Sequence, residues 1–332
     1  MKILVVGLGS IARRHIKNIK SIDSGIQIAV WRQFSKEAQL GELESLVDKV
    51  FFSKEDALQW MPQITFITNP ATRHIDTALI FAKGNSHLFI EKPLSVNEEG
   101  LQELIEEVNK RRLIVMVGYV LRFSKALQTI KKALGDNLIG KVLSIRVSAG
   151  QNLLNWRPSQ RYQDTVSARA DLGGGACFEL SHELDYVSWL IGEVTDIHAF
   201  LGKVSDLEID VEDLVEISLK FKSGAFGSVH LDMIDHAANR YCRIVGVKGT
   251  LLWDSFDGGS VRFFSSETGS WQELLAVREA GSSEMYKAEL EHFFNCLASG
   301  SKPTVSLEEA KEVIRLVNTL KASAKTKERV SL

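Results

Sequence analysis

A glycine-containing motif near the N-terminus constrains the fold more than any other part of the sequence. The apolar run Lys2 to Val6 leads directly into Gly7-Leu8-Gly9-Ser10-Ile11-Ala12, which fits the pattern G-x-G-x-x-A. Gly7 permits a tight turn, Gly9 lets the backbone approach a phosphate group, and Ala12 allows a helix to pack closely on a sheet. The order of strand, glycine loop and helix predicts a dinucleotide-binding βαβ unit whose helix N-terminus faces the pyrophosphate. A tight turn without a ligand is the alternative.

The first 120 residues alternate short apolar runs with longer amphipathic stretches, as repeated βαβ units do. They predict a doubly wound parallel sheet with right-handed crossovers, in which the C-termini of the strands share the edge where ligands bind. The predicted strands are Lys2 to Val6, Ile26 to Val30, Ile64 to Thr68, His87 to Ile90 and Leu113 to Val117. The predicted helices are Ala71 to Lys83, with Gly84 as its C′ residue, and Val96 to Lys110.

From residue 121 onward, apolar and polar residues alternate in short segments, as in half-exposed antiparallel strands. We therefore predict the fold class α/β, with a Rossmann domain over residues 1–120 and a substrate-binding and oligomerisation domain over residues 121–332. The second domain is expected to be α+β with a mainly antiparallel open sheet. Ser306 and Glu309 form a capping-box pattern before a C-terminal helix, which belongs to the second domain or packs back on the first. The predicted strands are Lys141 to Ala149, Val215 to Phe221, Ala225 to Leu231, Tyr241 to Val247 and Val261 to Phe264.

The end of the second predicted strand bears on the choice between NAD and NADP. An acidic residue there binds the ribose 2′-hydroxyl of NAD, but this chain has Arg32 at about that position. A cation suits a 2′-phosphate, and Arg13 or Arg14 on the first helix can assist. We therefore predict NADP as the cofactor, with NAD as the alternative if Arg32 is a solvated loop residue. The segment Thr68-Asn69-Pro70, with His74, is expected beside the cofactor, although Pro70 also suits ordinary helix capping.

Composition and charge disfavour several classes of protein. A net charge of -2 offers no broad basic surface for nucleic acid or a membrane. No stretch reaches about 18 apolar residues, and the three cysteines are far apart without a CxxC pair, so we expect a cytoplasmic protein with reduced thiols. The histidines and cysteines do not have the spacing of metal ligands, so we predict no metal site. The sequence contains no Walker A loop and no G-x-S-x-G elbow, so we predict neither kinase nor hydrolase activity.

The segment Phe89-Ile90-Glu91-Lys92-Pro93, following this Rossmann pattern, resembles a motif of the Gfo/Idh/MocA family of sugar and polyol oxidoreductases. The resemblance extends over nearly the whole chain and implies NAD(P)-dependent chemistry on CH–OH groups. It also implies that Glu91 and Lys92 lie next to the cofactor. The other matching pieces are Asn69-Pro70 with His74, Gly118-Tyr119 with Arg122-Phe123, Gly173-Gly174-Gly175 with His182 and Asp185, and Val247-Lys248-Gly249.

The resemblance further implies that Lys92 and His182 handle a proton of the substrate hydroxyl. The chemistry agrees, because oxidation of a carbinol requires removal of the hydroxyl proton as hydride leaves. The family often has an Asp four residues before the His, but this chain has Phe178 there. Glu179 is the candidate replacement, and the site can also depend on Lys92 and His182 without it. Asp185 is expected to orient the imidazole or to contact a sugar hydroxyl.

Loops rich in Asn, Trp, Arg and Tyr suit a sugar, because an indole stacks on its apolar face and amides bond its hydroxyls. The arginines favour an anionic group on that sugar, a carboxylate or a diphosphate, against the alternative that they are solvated. By this reasoning and by the resemblance, the candidate substrate-binding residues are Tyr119, Arg122, Asn152, Trp156, Arg157, Arg161, Tyr162 and Arg169.

These features together predict an NADP(H)-dependent oxidoreductase acting on a sugar, polyol or nucleotide-linked sugar. The alternative is a non-catalytic regulator of the same fold that senses the cofactor. Because an amphipathic sheet needs its apolar face covered, and because relatives of this kind often pair through that sheet, we also expect a homodimer or homotetramer.

Overall fold

A computed structural model describes residues 1–33, 37, 39–158, 160–254, 259–276 and 283–332. The chain divides into two compact units. Unit 1 contains Met1–Val120 and Ser283–Ile314, and unit 2 contains Leu121–Ser282 and Arg315–Leu332. The predicted fold class is confirmed, because a parallel sheet of Rossmann type lies in unit 1 and a mainly antiparallel sheet lies in unit 2.

The sheet of unit 1 has six strands within the described residues, and all its paired strands run parallel. Their order is β3-β2-β1-β4-β5-β6, so the direction of winding changes between β1 and β4. Ligands of such sheets bind at this change of direction, outside the carboxyl ends of the strands. The strands are β1 (Lys2–Val6), β2 (Gln27–Trp31), β3 (Lys49–Phe51), β4 (Ile64–Ile67), β5 (His87–Glu91) and β6 (Val115–Gly118).

The helices of unit 1 are α1 (Ser10–Ile22), α2 (Lys54–Gln59), α3 (His74–Lys83), α4 (Leu101–Arg111), α8 (Ser283–Ser299) and the first part of α9 (Leu307–Thr326). The predicted capping box is present, since Ser306 N donates to Glu309 Oε2 at 3.1 Å and Glu309 N donates to Ser306 Oγ at 3.4 Å. None of the described helices combines the length and the apolar character needed to cross a bilayer.

Several details of the helix ends in unit 1 differ from the prediction. Ala71–Arg73 form a short 3-10 turn, and α3 begins at His74 rather than at Ala71. α4 begins at Leu101 rather than at Val96, because Gly100 adopts the left-handed conformation, with φ of 70°, and interrupts any earlier helical turn. Gly84 was predicted as the left-handed C′ residue of α3, but its φ is -81°. The left-handed residue is Asn85, with φ of 61°, and Arg111 Nη1 donates to its Oδ1 at 2.7 Å. Asn tolerates this conformation better than other residues with a side chain.

The sheet of unit 2 has nine strands in the part of the chain that the structure describes, in the order β14-β13-β12-β11-β7-β10-β9-β8-β15. β7 and β10 run parallel, and the other paired strands run antiparallel. The strands are β7 (Val142–Gly150), β8 (Val194–Gly202), β9 (Leu214–Phe221), β10 (Phe226–Asp232), β11 (Asn239–Gly246), β12 (Gly249–Asp254), β13 (Val261–Ser265), β14 (Ser270–Leu275) and β15 (Val330–Ser331).

The apolar face of this sheet is covered within unit 2 itself. The helices α5 (Lys125–Gly135), α6 (Ala176–Glu179) and α7 (His182–Ile191) pack against it. The opposite face is mixed, with the exposed aromatic side chains of Phe226 and Trp271 on the same face as Arg146. The homodimer or homotetramer expected from the sequence stays a prediction.

Candidate active site

The glycine loop of unit 1 follows β1 and has the geometry that a dinucleotide requires. Gly7 has φ of 92°, and a Cβ atom there would lie 3.2 Å from Asn69 N and Thr68 O, so a side chain is excluded. A Cβ at Gly9 would meet nothing within 4 Å, which leaves the space before α1 open. The N-terminus of α1, at Ser10, has neither a side-chain cap nor an acidic residue in its first turn. Its amide groups suit a pyrophosphate, while Ala12 is fully buried against the sheet.

The three arginines predicted near a 2′-phosphate have different environments in unit 1. Arg13 donates from its two Nη atoms to Leu40 O and Gln39 O, each at 2.8 Å. The guanidinium of Arg14 lies over the ring of Tyr286, 4.4 Å from its centroid. Arg32 follows directly after β2, where its backbone N donates to Phe51 O at 2.9 Å. Arg32 therefore occupies the strand end that distinguishes the two cofactors.

The segment after β4 is fixed by side-chain hydrogen bonds at the same sheet edge. Thr68 Oγ1 donates to Val6 O at 2.8 Å, and Asn69 Nδ2 donates to Gln33 Oε1 at 2.8 Å. The ring nitrogens of His74 lie 2.8 Å from Asn69 O and 2.9 Å from Pro93 O. Burial lowers the pKa of His74. His74 therefore ties the segment after β4 to the segment after β5, and Pro70 precedes the short helical turn between them.

Glu91 is the last residue of β5, and its carboxylate is enclosed by neighbouring groups. His15 Nε2 lies 2.6 Å from Glu91 Oε1, and Lys92 N donates to Glu91 Oε2 at 3.2 Å. The sequence analysis assigned no role to His15. A signal was present, because His15 shares the apolar face of α1 with Ala12, Ile16 and Ile19, and a polar residue on a buried face needs a partner.

In unit 2, Glu179 and His182 stand on either side of a break between two helices. α6 ends at Glu179 and α7 begins at His182, so the helical spacing of these residues in the sequence does not place them on one continuous helix. The turn over Leu180 and Ser181 separates them. Glu179 Oε2 accepts a hydrogen bond from Ser167 Oγ at 3.0 Å, and Arg157 Nη1 donates to the same Ser167 Oγ at 3.2 Å. Glu179 and Arg157, predicted for different roles, are thus joined through one hydroxyl.

Asp185 and Arg122 form a buried ion pair in unit 2. Arg122 Nη2 lies 2.7 Å from Asp185 Oδ1, and Arg122 Nε lies 2.9 Å from Asp185 Oδ2. The two side chains are 3% and 1% exposed. This bidentate ion pair holds α7 against the segment that precedes α5.

The run of three glycines before α6 is required by contacts with the chain itself. A Cβ at Gly174 would lie 2.3 Å from Val166 O, and one at Gly175 would lie 2.6 Å from Glu212 Oε1. Glu212, which the sequence analysis did not single out, accepts a hydrogen bond from Cys177 N at 3.1 Å and so holds the start of α6. The space that Gly174 and Gly175 leave is filled by protein groups.

Phe178 stands where the family often has an Asp, and it is buried. Lys321 Nζ lies 4.2 Å from the centroid of its ring. Burial also raises the pKa of the neighbouring Cys177 thiol well above its usual value. This position therefore offers an apolar ring and no acidic group.

The predicted substrate-binding residues of unit 2 lie mainly in the segment after β7. Asn152 Oδ1 accepts a hydrogen bond from Leu154 N, and Trp156 Nε1 donates to Gln151 O at 2.9 Å, so both side chains shape their own loop. Arg169 is exposed and pairs with Asp171 at 2.6 Å. Elsewhere, Arg161 is exposed near Asp164, Tyr162 Oη accepts from Glu208 N, and Tyr119 of unit 1 is fully buried.

Two family models match the chain. Residues 1–119 match the model described as "Oxidoreductase family, NAD-binding Rossmann fold", and residues 127–252 match the model described as "GFO/IDH/MocA C-terminal domain". The chain belongs to the GFO/IDH/MocA family. The predicted family and the prediction of an NAD(P)-dependent oxidoreductase are thereby confirmed.

Relatives of this GFO/IDH/MocA protein include curated enzymes and solved structures. It is 27% identical to the myo-inositol 2-dehydrogenase of Thermotoga maritima, over 100% of this chain and 98% of the relative. A levoglucosan dehydrogenase in complex with NADH and levoglucosan superposes with a TM-score of 0.88 at 17% identity, covering 100% and 99% of the two chains. The WlbA dehydrogenase from Bordetella pertussis, in complex with NADH and UDP-GlcNAcA, gives 0.84 at 21% identity, covering 100% and 98%. These two structures show the shared fold.

Titratable side chains do not gather into a metal site anywhere in the described ranges: no group of three or more His, Cys, Asp or Glu residues there is placed to hold a metal ion.

The replacement Asp185→Asn tests whether the buried pair is structural. We expect the free energy of unfolding to fall by about 3 kcal/mol, because the buried guanidinium of Arg122 loses the charge of the carboxylate that it contacts at 2.7 Å. Urea unfolding measures the change. The matched control is Asp171→Asn, which breaks the exposed pair with Arg169 and leaves the unfolding midpoint nearly unchanged. Equal midpoints for the two variants would contradict a structural role.

Proposed function

We propose that this protein is an NADP(H)-dependent oxidoreductase that transfers hydride between the nicotinamide and a carbinol carbon of a sugar, polyol or nucleotide-linked sugar. The observation that carries the proposal is the placement of Lys92 in unit 1. Lys92 follows β5 at the sheet edge where the glycine loop follows β1, and Glu91 bonds to its backbone amide. A cation at this edge lies where the family fold binds its ligands.

The cofactor, when bound, supplies the hydride acceptor or donor. The backbone amides that follow Gly9, on Ser10 and Ile11, hold the pyrophosphate, because α1 begins there without another cap. Arg32 holds the 2′-phosphate of NADP at the end of β2. The wall of the site on the β4 side is formed by Thr68, Asn69, Pro70 and His74. The hydrogen bonds described above fix the side chains of Thr68, Asn69 and His74.

Lys92 and His182 move the hydroxyl proton of the substrate. A lysine acts in this way when it is partly removed from water, and a histidine titrates near neutral pH. Glu179 supplies an acidic group one position from that of other family members and is kept in place by Ser167. Asp185 acts indirectly, since its pair with Arg122 fixes the helix that begins at His182.

The substrate class is a compound rich in hydroxyl groups. The named activities of the relatives, on inositols and levoglucosan, support this class. Trp156 offers a half-buried ring for an apolar sugar face, and Arg157 and Arg161 favour a carboxylate or diphosphate on the sugar. Asn152, Tyr162, Arg169, Tyr119 and Arg122 complete the proposed set, the last two from buried positions that support the site.

A second candidate function is a cofactor-sensing regulator without turnover. The buried Phe178, in the position of the usual Asp, favours it. In either case, the compartment that we propose is the cytoplasm, where the buried thiols of Cys177, Cys242 and Cys296 stay reduced.

The replacement Arg32→Asp tests the cofactor. We expect the wild-type chain to bind NADP at least tenfold more tightly than NAD, because the guanidinium pairs with the 2′-phosphate. Arg32→Asp should reverse this order, as measured by fluorescence titration of both cofactors. Arg112→Asp, the same change of charge after α4 and before β6, is the control and leaves both affinities unchanged. NAD binding as tight as NADP in the wild type would refute the NADP preference.

The replacement Lys92→Ala tests the catalytic function. Hydride transfer is followed by nicotinamide absorbance over a panel of inositols, sugars and nucleotide-linked sugars. We expect turnover of one substrate class, a rate lower by about 10²- to 10⁴-fold in Lys92→Ala, and a cofactor Kd within about threefold of wild type. Lys83→Ala, which removes an exposed lysine paired with Glu103, keeps the full rate. The absence of wild-type turnover with every compound would favour the regulator.

A further inference from the structure

His15 is a fully buried histidine whose ring is surrounded by three aromatic rings. It lies in α1, and its ring centroid is 5.4 Å from that of Phe66, 5.1 Å from that of Phe89 and 6.2 Å from that of Tyr286. These aromatic rings come from β4, β5 and α8. The imidazole therefore has little freedom to rotate, and Nε2 points at Glu91 Oε1 over 2.6 Å. A buried polar group of this kind is costly unless it is bonded.

The carboxylate of Glu91 is confined in turn. Its Oε1 faces His15, and its Oε2 accepts the backbone N–H of Lys92 at 3.2 Å. On the β6 side, a Cβ atom at Gly118 would lie 3.3 Å from Cδ and both oxygens of Glu91, so only glycine leaves this space. Glu91 is 8% exposed. A carboxylate oxygen accepts hydrogen bonds, so His15 donates from Nε2 in this contact.

Other ionisable groups face the same cluster. α8 contributes Glu289, which is fully buried, and burial followed by the charge of Glu91 raises the pKa of Glu289 well above its usual range. Burial also raises the pKa of Tyr286 to about 12. The guanidinium of Arg14 lies over the ring of Tyr286. Glu91 is the carboxylate that His15 contacts.

We propose that His15 is a positioning residue for Lys92, acting through Glu91. His15 fixes the Glu91 carboxylate, which fixes the backbone amide of Lys92 and hence the origin of the lysine side chain. In the proposed function the N-terminus of α1 faces the pyrophosphate, and through His15 the same helix also fixes the position of Lys92. His15 lies about 7.5 Å along α1 from Ser10. Without a donor at position 15, the carboxylate rotates away from the Lys92 amide. This inference rests on the proposed role of Lys92 in proton transfer.

The test compares two replacements of His15 in the full chain. His15→Phe keeps a ring of similar size but removes the donor, whereas His15→Gln places an amide N–H at nearly the reach of Nε2. We expect kcat to fall by about 10- to 100-fold in His15→Phe, with the pH profile of kcat/KM displaced and the cofactor Kd within about threefold of wild type. His15→Gln should recover most of kcat and the original pH profile. Steady-state kinetics and cofactor titration provide these readouts.

The control pair is His87→Phe and His87→Gln. His87 is a half-buried histidine of β5 whose Nδ1 accepts a hydrogen bond from Ile114 N, far along the strand from Glu91. Both variants should keep kcat and the pH profile. If His15→Phe does not fold, Glu91→Gln provides the second route, because it keeps the size of the side chain and weakens the hold on the Lys92 amide. We expect kcat to fall about tenfold in that variant.

Three results would overturn the proposal. The first is a wild-type kcat and pH profile in His15→Phe, and the second is the same outcome in Glu91→Gln. The third is an equal loss in His15→Phe and His15→Gln together with an equal fall in Tm, which would indicate a packing role. If His15→Phe keeps the wild-type kcat and pH profile while Lys92→Ala is inactive, only the positioning role of His15 is refuted. A fully active Lys92→Ala refutes the proposed function itself.

Discussion

The parallel pairing of β1 with β4, and of β4 with β5, is the constraint on which the cofactor half of this protein depends. Parallel strands end at one edge, so the residues that follow them are neighbours although they are far apart in sequence. Gly7, Asn69 and Lys92 each follow one of these strands. The pairing explains the absence of a side chain at Gly7, whose Cβ would press on the backbone of Asn69. It also lets one helix, α1, serve both the glycine loop and Glu91.

Unit 2 reaches its arrangement by a different route, through buried polar contacts that fix short helices. Glu212 holds the start of α6, and the pair of Arg122 with Asp185 holds α7. Several charged residues that look like ligands for a substrate are occupied in this way. Glu179 and Arg157 lie in loop or helix-end positions and are joined through the hydroxyl of Ser167. Differences in substrate among such proteins can therefore arise in loops while the helix frame is kept.

The sequence predicted the fold where local pattern and burial agree. Strands β1, β2, β4, β5 and β6 of the parallel sheet are largely buried on both faces, so they appear as short apolar runs, and the glycine motif located the first turn. The three-residue β3 is partly exposed and was not predicted. β12 and β14 escaped prediction, because β12 is largely buried on both faces and β14 is largely exposed, so neither alternates. The contacts of His15 and of Arg122 escaped for another reason. Their partners are 76 and 63 residues away, and no local periodicity reports such a distance.

Lys92 and His182 act, in the proposed mechanism, on the same hydroxyl proton. The most direct measurement is single-turnover hydride transfer, followed by nicotinamide absorbance, in Lys92→Ala, His182→Ala and the double variant. Groups that act as one unit are not additive. The double variant is therefore predicted to be no more than about threefold slower than the slower single variant. A double variant whose loss equals the product of the two single losses would contradict a shared proton.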